Sequence, residues 1–477
     1  MNSASTSATA TAETAYDQID QRQLTRNQRS LIGLVVMGNL SEFFDLFLIG
    51  FVVALLTKPW DLTGFEAGTI LACSGLGTVL GAIVWGRLAD SMGRRTAFFW
   101  CVLMFVGFTA LTLLTPERGW WMLALLRIGV GMGVGGLNIT SIPYVQEFVP
   151  TKHRGFLAGL GSVFIPAGLF LGSLAQKAVG DNWRMLIALG CVPILLLVWL
   201  RFVPESPRFY QTRGRDEEAR KSLAWAMDIP VEQVGALPAL SQAESTSYAS
   251  LFRHHLKPLV VITVGSFCFI MGGFAVQSWG QTLLKDGFQF DIGTVAVLFM
   301  LVSLADLIGR LGSAFLADRI GRRYTMLLFG LLGAAGCFIA AFSHGSAWLF
   351  FAAICIIMMF GDGAFGILNA FGAEQFPTTS RSTGLGLGYG IGATAKIIGP
   401  FLMGAMIGGN AVKQNVTLGI ITPAFSFFGV CFVIGAIAYM FAKKRRDAHS
   451  KRSKKLLGPR DQQQLAPGVA AYGAGVP

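Results

Sequence analysis

Apolar runs of about 18 to 25 residues recur along this 477-residue chain from Leu31 onward. In a helix each residue rises about 1.5 Å, so every run is long enough to cross a hydrocarbon layer about 30 Å thick. Twelve such runs are expected, at 31–56, 66–86, 97–115, 120–146, 156–177, 185–203, 257–279, 292–314, 324–343, 347–372, 384–408 and 416–441. The chain is 53% hydrophobic and 13% charged, with 38 phenylalanines against 26 acidic residues, more apolar surface than a soluble core encloses. Period-two alternation is absent, which excludes a closed barrel. The expectation is an all-α membrane protein.

Basic residues set its orientation. Outer loops would hold only Lys58, Arg118, Lys177, Arg184, Lys285 and Lys413, three cations lie within spans, and the remaining Lys and Arg of the 38 fall in inner loops and tails. This places the chain in the plasma membrane, or the inner membrane of a bacterium, with both termini cytoplasmic. The net charge of +12 is then mainly a topology signal. The stretch KKRRDAHSKRSKK, Lys443 to Lys455, would meet anionic lipid headgroups, not nucleic acid. All seven cysteines fall in expected spans and imply neither a disulfide framework nor a metal site; no cofactor is called for. Residues 1–30, rich in Ser, Thr and Ala, read as a disordered cytoplasmic segment with no cleaved signal.

The stretch GRLADSMGRR at 86–95 returns as FLADRIGRR at 315–323, and EFVPTKHRG from Glu147 returns as EQFPTTSRSTG from Glu374. Two separate motifs share nearly the same offset, so the chain divides into six spans (31–203), a polar linker (204–256), six more spans (257–441) and a basic tail (442–477). Parallel repeats of this kind build many secondary transporters.

On these motifs, and on PESPRF at 204–209, the chain resembles the major facilitator superfamily, and within it the sugar porters and the aromatic-acid and metabolite symporters. The resemblance implies two six-helix bundles related by a pseudo-twofold axis. It also implies a cytoplasmic gate made of Asp90, Arg94, Glu147, Arg154, Glu205 and Arg208, with Asp318, Arg322, Glu374 and Arg381 as second-half partners, closed when the cavity faces outward. The alternative is that these groups serve only as topology markers and helix caps.

A charge at mid-bilayer costs about 2.5 to 3.5 kcal/mol on insertion scales, so Glu42, Asp45, Arg127, Asp306, Arg310, Asp362 and Lys396 each need a reason. Glu42 and Asp45 share one helical face. Asp45 lies about 21 Å from the inner edge and Arg127 about 10 Å below the outer one, so the two meet in depth. The resemblance to proton-linked sugar porters gives Asp45 and Arg127 a coupling role; Glu42 is a second titratable candidate. A purely structural bridge is the competing reading. Asp306 and Arg310 are expected to form an intrahelical pair near the gate. Lys396 is expected to pair with Asp362 or to meet a substrate carboxylate. Asn39, Ser41, Asn138, Tyr144, Gln277, Trp279, Gln281, Asn369 and Tyr389 are candidates for lining a central cavity, although glutamines on span seven serve equally for helix packing.

Together these features describe a secondary transporter, acting as a monomer, that moves a small organic metabolite with a proton by alternating access. An organic anion comes first and a sugar or polyol next. A facilitative uniporter and a transporter-like solute receptor are the alternatives. By the resemblance, drug efflux is disfavoured because GSVFIPAGLFLG does not reproduce the adjacent Gly-Pro of the superfamily's span-five antiporter signature; an enzyme is disfavoured because no nucleophile, base and metal set stands at working spacing.

Overall fold

The computed structural model describes residues 14–238, 248–343, 345–377 and 380–442. A short helix α1 (Ala15–Gln21) precedes a first bundle of α2 (Arg26–Leu56), α3 (Gly64–Met92), α4 (Arg94–Thr112), α5 (Trp120–Gln146), α6 (Thr151–Val179) and α7 (Trp183–Leu200). Linker helices α8 (Pro207–Gln211), α9 (Asp216–Met227) and α10 (Tyr248–His254) follow. The second bundle comprises α11 (Leu256–Gly287), α12 (Ile292–Ile320), α13 (Arg322–Ala341), α14 (Ala347–Glu374), α15 (Arg381–Gly392, resuming at Ala395–Ile407) and α16 (Gln414–Met440). Among the described residues eleven helices are long and apolar enough to cross a membrane, and the apolar part of α6, Val163–Val179, supplies a shorter one. Large side chains such as Leu114, Trp121, Leu125, Ile308 and Phe315 are exposed on the outside of the bundles, as a lipid solvent demands.

The repeat appears as symmetry. Helix α3 packs along α15, α6 along α12, and α2 against α11. Exchanging the halves turns the first contact into the second and the third into itself, which is a twofold relation. The turns that revealed the repeat are built alike. Gly93 (φ +100°) and Gly321 (φ +89°) hold a backbone conformation that side chains avoid, and their N–H groups close α3 and α12 on the Ala89 and Ala317 carbonyls.

Residues 14–30 depart from the disorder expected of them; residues 1–13 lie outside the described set, as do 239–247 of the linker and the basic tail from 443 on. Thr14 and Thr25 each form a capping box, with Asp17 and Gln28, and start α1 and α2. Helix α1 packs Ala15 and Ile19 against Leu223, Ala224 and Met227 of the linker helix α9, and its Asp20 accepts from the Thr151 N–H (2.6 Å) and hydroxyl (2.7 Å) and so caps α6. Burial opposes the charge on Asp20, but these bonds and the nearby Arg154 outweigh it and hold the carboxyl below its usual range. The signal was legible as Thr-x-x-Asp ahead of Ile19.

Candidate functional site

Each bundle buries a cluster of charge. In the first, α2 places Glu42 and Asp45 one turn apart opposite α5. Arg127 donates through Nη2 to Asp45 Oδ2 (2.5 Å), through Nη1 to Oδ1 (3.3 Å), and through Nε to Ser74 Oγ on α3 (3.2 Å). Asp45 and Arg127 are almost wholly buried, so the pair is two-pronged and dry. Glu42 is 2% exposed; its Oε1 accepts from Asn138 Nδ2 at 2.9 Å, while Oε2 is buried and has no hydrogen-bond partner. Lys396 stands across the bundle interface on α15, half-buried, with Nζ 5.8 Å from the Phe274 ring centroid and near enough to Glu42 to act on its charge. Among the described residues no acid lies within 4 Å of Lys396.

The second cluster extends one expectation and corrects another. Asp306 and Arg310 do pair within α12 (2.8 Å), yet Arg310 also bonds Asp362 on α14. Asp362 is therefore held by Arg310, and the ion pair expected between Asp362 and Lys396 is not formed.

The cavity candidates separate by burial. Asn39 is buried and donates to the Val35 carbonyl (2.8 Å) and Ser141 Oγ (2.9 Å), joining α2 to α5. Trp279 is fully buried with its indole N–H on the Pro400 carbonyl (3.0 Å), and the Tyr144 hydroxyl donates to the Pro204 carbonyl (2.5 Å). Asn39 and Trp279 join helices and Tyr144 ties α5 to the segment after α7, so all three are taken up by packing. Gln277 is buried; Gln281 is fully buried against Gly50, with both amide atoms unpartnered. Asn138 and Asn369 are exposed and Tyr389 is half-buried. Ser41 spends its hydroxyl on the Met37 carbonyl.

At the face carrying the arginine turns, the bonds named for the gate stay within a bundle. Arg94 meets Asp90 (2.8 Å) and Glu147 (3.8 Å), and Arg322 meets Glu374 (2.7 Å). Glu205 sits over the start of α4, accepting from the Arg95 N–H (2.8 Å) and Thr96 N–H (3.2 Å), where the helix dipole favours an anion. Ser206 donates to Glu147, whose carboxyl is pushed up by burial against the pull of Ser206, Arg94 and Arg208. Arg154 donates to the Val149 carbonyl, Arg208 lies over the Tyr16 ring, and Asp318 and Arg381 are exposed.

The opposite face is sealed. A Cβ on Gly64, Gly68 or Gly75 of α3 would lie 2.2 Å from Ile407 Cβ, 2.9 Å from Gly404 Cα and 2.6 Å from the Lys396 carbonyl oxygen, so α3 and α15 touch along this half. Backbone bonds join Gly64 to Asn410, Phe65 to Gly408 and Val412 to Leu62. Thr57 Oγ1 donates to Asp286 Oδ2 (2.7 Å), and Asp286, fully buried, also holds Lys285 (3.0 Å). Asp286 escaped the sequence reading because the expected span stopped at 279, although Leu283 and Leu284 continue its apolar run. By contrast, Gly159 and Gly161 of α6 and Gly386 and Gly390 of α15, toward the arginine turns, have nothing within 4 Å of an added Cβ. The bundles thus meet at one face and part toward the other.

Residues 10–446 match the family model described as sugar (and other) transporter. The niacin transporter of Acinetobacter baylyi is 29% identical over 402 residues, covering 82% of this chain and 90% of that protein. The benzoate transport protein of the same organism is 24% identical over 407 residues, covering 82% and 85%. The crystal structure of a D-xylose-proton symporter superposes with a TM-score of 0.66 at 18% identity, covering 87% of this chain and 98% of that one.

Proposed function

The chain belongs to the sugar (and other) transporter family and has the major facilitator fold, and from that premise we propose that it carries an organic monocarboxylate, preferably aromatic, together with a proton. That it is a secondary transporter of small metabolites, and not an enzyme, follows from the family. The finer reading rests on one observation: among the described residues no acid lies within ion-pair reach of the Lys396 cation, whereas Arg127 and Arg310 are each claimed by carboxylates. A free cation in a low-dielectric site is the natural anchor for an anion. The relatives named for niacin and benzoate move aromatic acids, which supports the same chemistry.

Coupling follows from position. Lys396 acts on Glu42, the acid with a bare buried oxygen. A substrate carboxylate that binds Lys396 cancels the positive charge facing Glu42, and the acid then holds its proton more readily; by linkage, a protonated Glu42 leaves Lys396 freer for the anion. Proton and anion thus bind together. Asp45, gripped on both oxygens by Arg127, exchanges a proton only when that pair opens, which ties it to movement of α2 against α5. With the arginine turns in the cytoplasm by the positive-inside rule, the conformation is inward-facing, sealed outside by Thr57 and Asp286.

The test is uptake of labelled nicotinate and benzoate into proteoliposomes under an imposed inward proton gradient. Saturable, protein-dependent uptake that a protonophore abolishes supports the proposal. Uptake of xylose or a polyol in place of either acid would overturn the substrate class, and uptake indifferent to the gradient would overturn coupling.

A further inference from the structure

The buried cluster of the second bundle holds two carboxyl groups and one guanidinium. Arg310 Nε donates to Asp306 Oδ1 at 2.8 Å and Nη2 to Asp362 Oδ2, while Asp306 Oδ2 and Arg310 Nη1 are buried without partners. Asp306 is wholly buried, and the side chains of Arg310 and Asp362 are 2% and 8% exposed. If both acids were ionised, the site would carry a net negative charge with one bare oxygen in a dry interior. Two acids sharing a site resolve this by keeping one proton between them.

The backbone is shaped to bring the three groups together. Asp362 ends a π-helical stretch, Ile357–Asp362, a distortion that recurs at functional sites. Gly309 of α12 lies so close to the Met359 carbonyl that an added Cβ would fall 1.7 Å from its oxygen, and Ser313 Oγ donates to the Gly363 carbonyl at 2.9 Å. The ionisable groups acting on Asp306 are Arg310 and Asp362. Helices α11 and α13 meet the π-turn with Gly273 and Gly333, neither titratable, and α6 on the far side of α12 carries no ionisable residue between Arg154 and Lys177. No group of three or more metal-ligating side chains is found among the described residues, so a metal cation is a poor substitute for the proton.

We propose that Asp306, Arg310 and Asp362 form a second proton-binding centre, separate from Glu42, in which one proton is shared by the two aspartates and exchanges through Asp362. It stands apart from the substrate reading, because nothing in it depends on which solute is carried.

The experiment is infrared spectroscopy of the full-length protein in lipid, without substrate, following the carbonyl stretch of protonated carboxylic acids as pH is varied around neutral. Working in a Glu42→Gln background removes that acid's contribution, and aspartate labelling sets aside Glu147, whose carboxyl burial also pushes up. The expected result is one remaining protonated-acid band at neutral pH that moves on 13C-aspartate labelling. It disappears in Asp306→Asn and equally in Asp362→Asn, since either substitution leaves one acid fully paired with Arg310. Absence of the band in the Glu42→Gln protein, its replacement by a sodium-dependent signal, or its survival in either aspartate variant would overturn the proposal. Absence of an aspartate-shifted band needs no aspartate variant to overturn the proposal, and the two variants are read separately, so one that fails to fold leaves the other to assign the band.

Discussion

Replacing Glu42 with glutamine removes the charge from the coupling site while keeping its shape. The carboxamide oxygen can still accept from Asn138, as Oε1 does at 2.9 Å. Its NH2 takes the place of Oε2, which already lacks a partner, so one unsatisfied buried group replaces another. An unsatisfied group costs about 1 to 3 kcal/mol in either case, and stability should change by less than about 1 kcal/mol. Transport should change far more. One proton moving down one pH unit supplies about 1.4 kcal/mol, a tenfold concentration ratio, so a gradient of two units supports about a hundredfold accumulation with one coupled proton. In proteoliposomes, with initial rates taken before passive entry and protein-free vesicles subtracted, Glu42→Gln should lose gradient-driven nicotinate uptake. Exchange of internal for external nicotinate, which needs no net proton movement, should stay within about twofold of wild type. A variant that still concentrates substrate at the wild-type rate would refute the role of Glu42. Loss of exchange together with uptake would show that the side chain is structural.

Further consequences concern charge and backbone. Lys396→Met should raise KM for carboxylates about 10- to 100-fold, the loss of a charge-assisted contact of about 1.5 to 3 kcal/mol, while leaving the weak competition by the neutral amide of the same ring unchanged. Asp45→Asn and Arg127→Gln should each cost about 3 to 5 kcal/mol by stranding a buried charge, and the double variant less than either, read as thermal or denaturant unfolding of purified protein in a double-mutant cycle. Gly93→Ala should destabilise more than Gly321→Ala. Both pay about 1 to 3 kcal/mol for the backbone conformation, but only at Gly93 would the new Cβ fall 2.4 Å from Glu205 Oε2 and dislodge the carboxylate that caps α4.

Hydropathy and the repeat made the architecture readable because a span's length is set by the bilayer and the arginine turn needs a glycine at the same place in each half. Matching depths also anticipated the partnership of Asp45 with Arg127. Depth was insufficient in the second bundle. On the expected spans Arg310, Asp362 and Lys396 lie about 6, 15 and 18 Å from the end with the arginine turns, which singles out Lys396 as the partner of Asp362; α12 in fact runs on to Ile320 and carries Arg310 about 15 Å deep. What decides is rotation and lateral order: the backbone contact at Gly309 and the π-turn aim Asp362 at α12, while Lys396 lies over the Phe274 ring. Neither the π-turn nor the interhelical contact leaves a periodic trace in hydropathy. Helix α1 went unread for a different reason, its capping box being short and flanked by a low-complexity stretch.

The claim that anion and proton travel together is tested most directly by recording internal pH and labelled nicotinate in the same proteoliposomes, with protein-free vesicles subtracted. An inward substrate gradient alone should acidify the lumen in step with nicotinate entry, and Glu42→Gln should abolish the acidification. Nicotinate entering through the wild-type protein with no accompanying acidification would contradict the account.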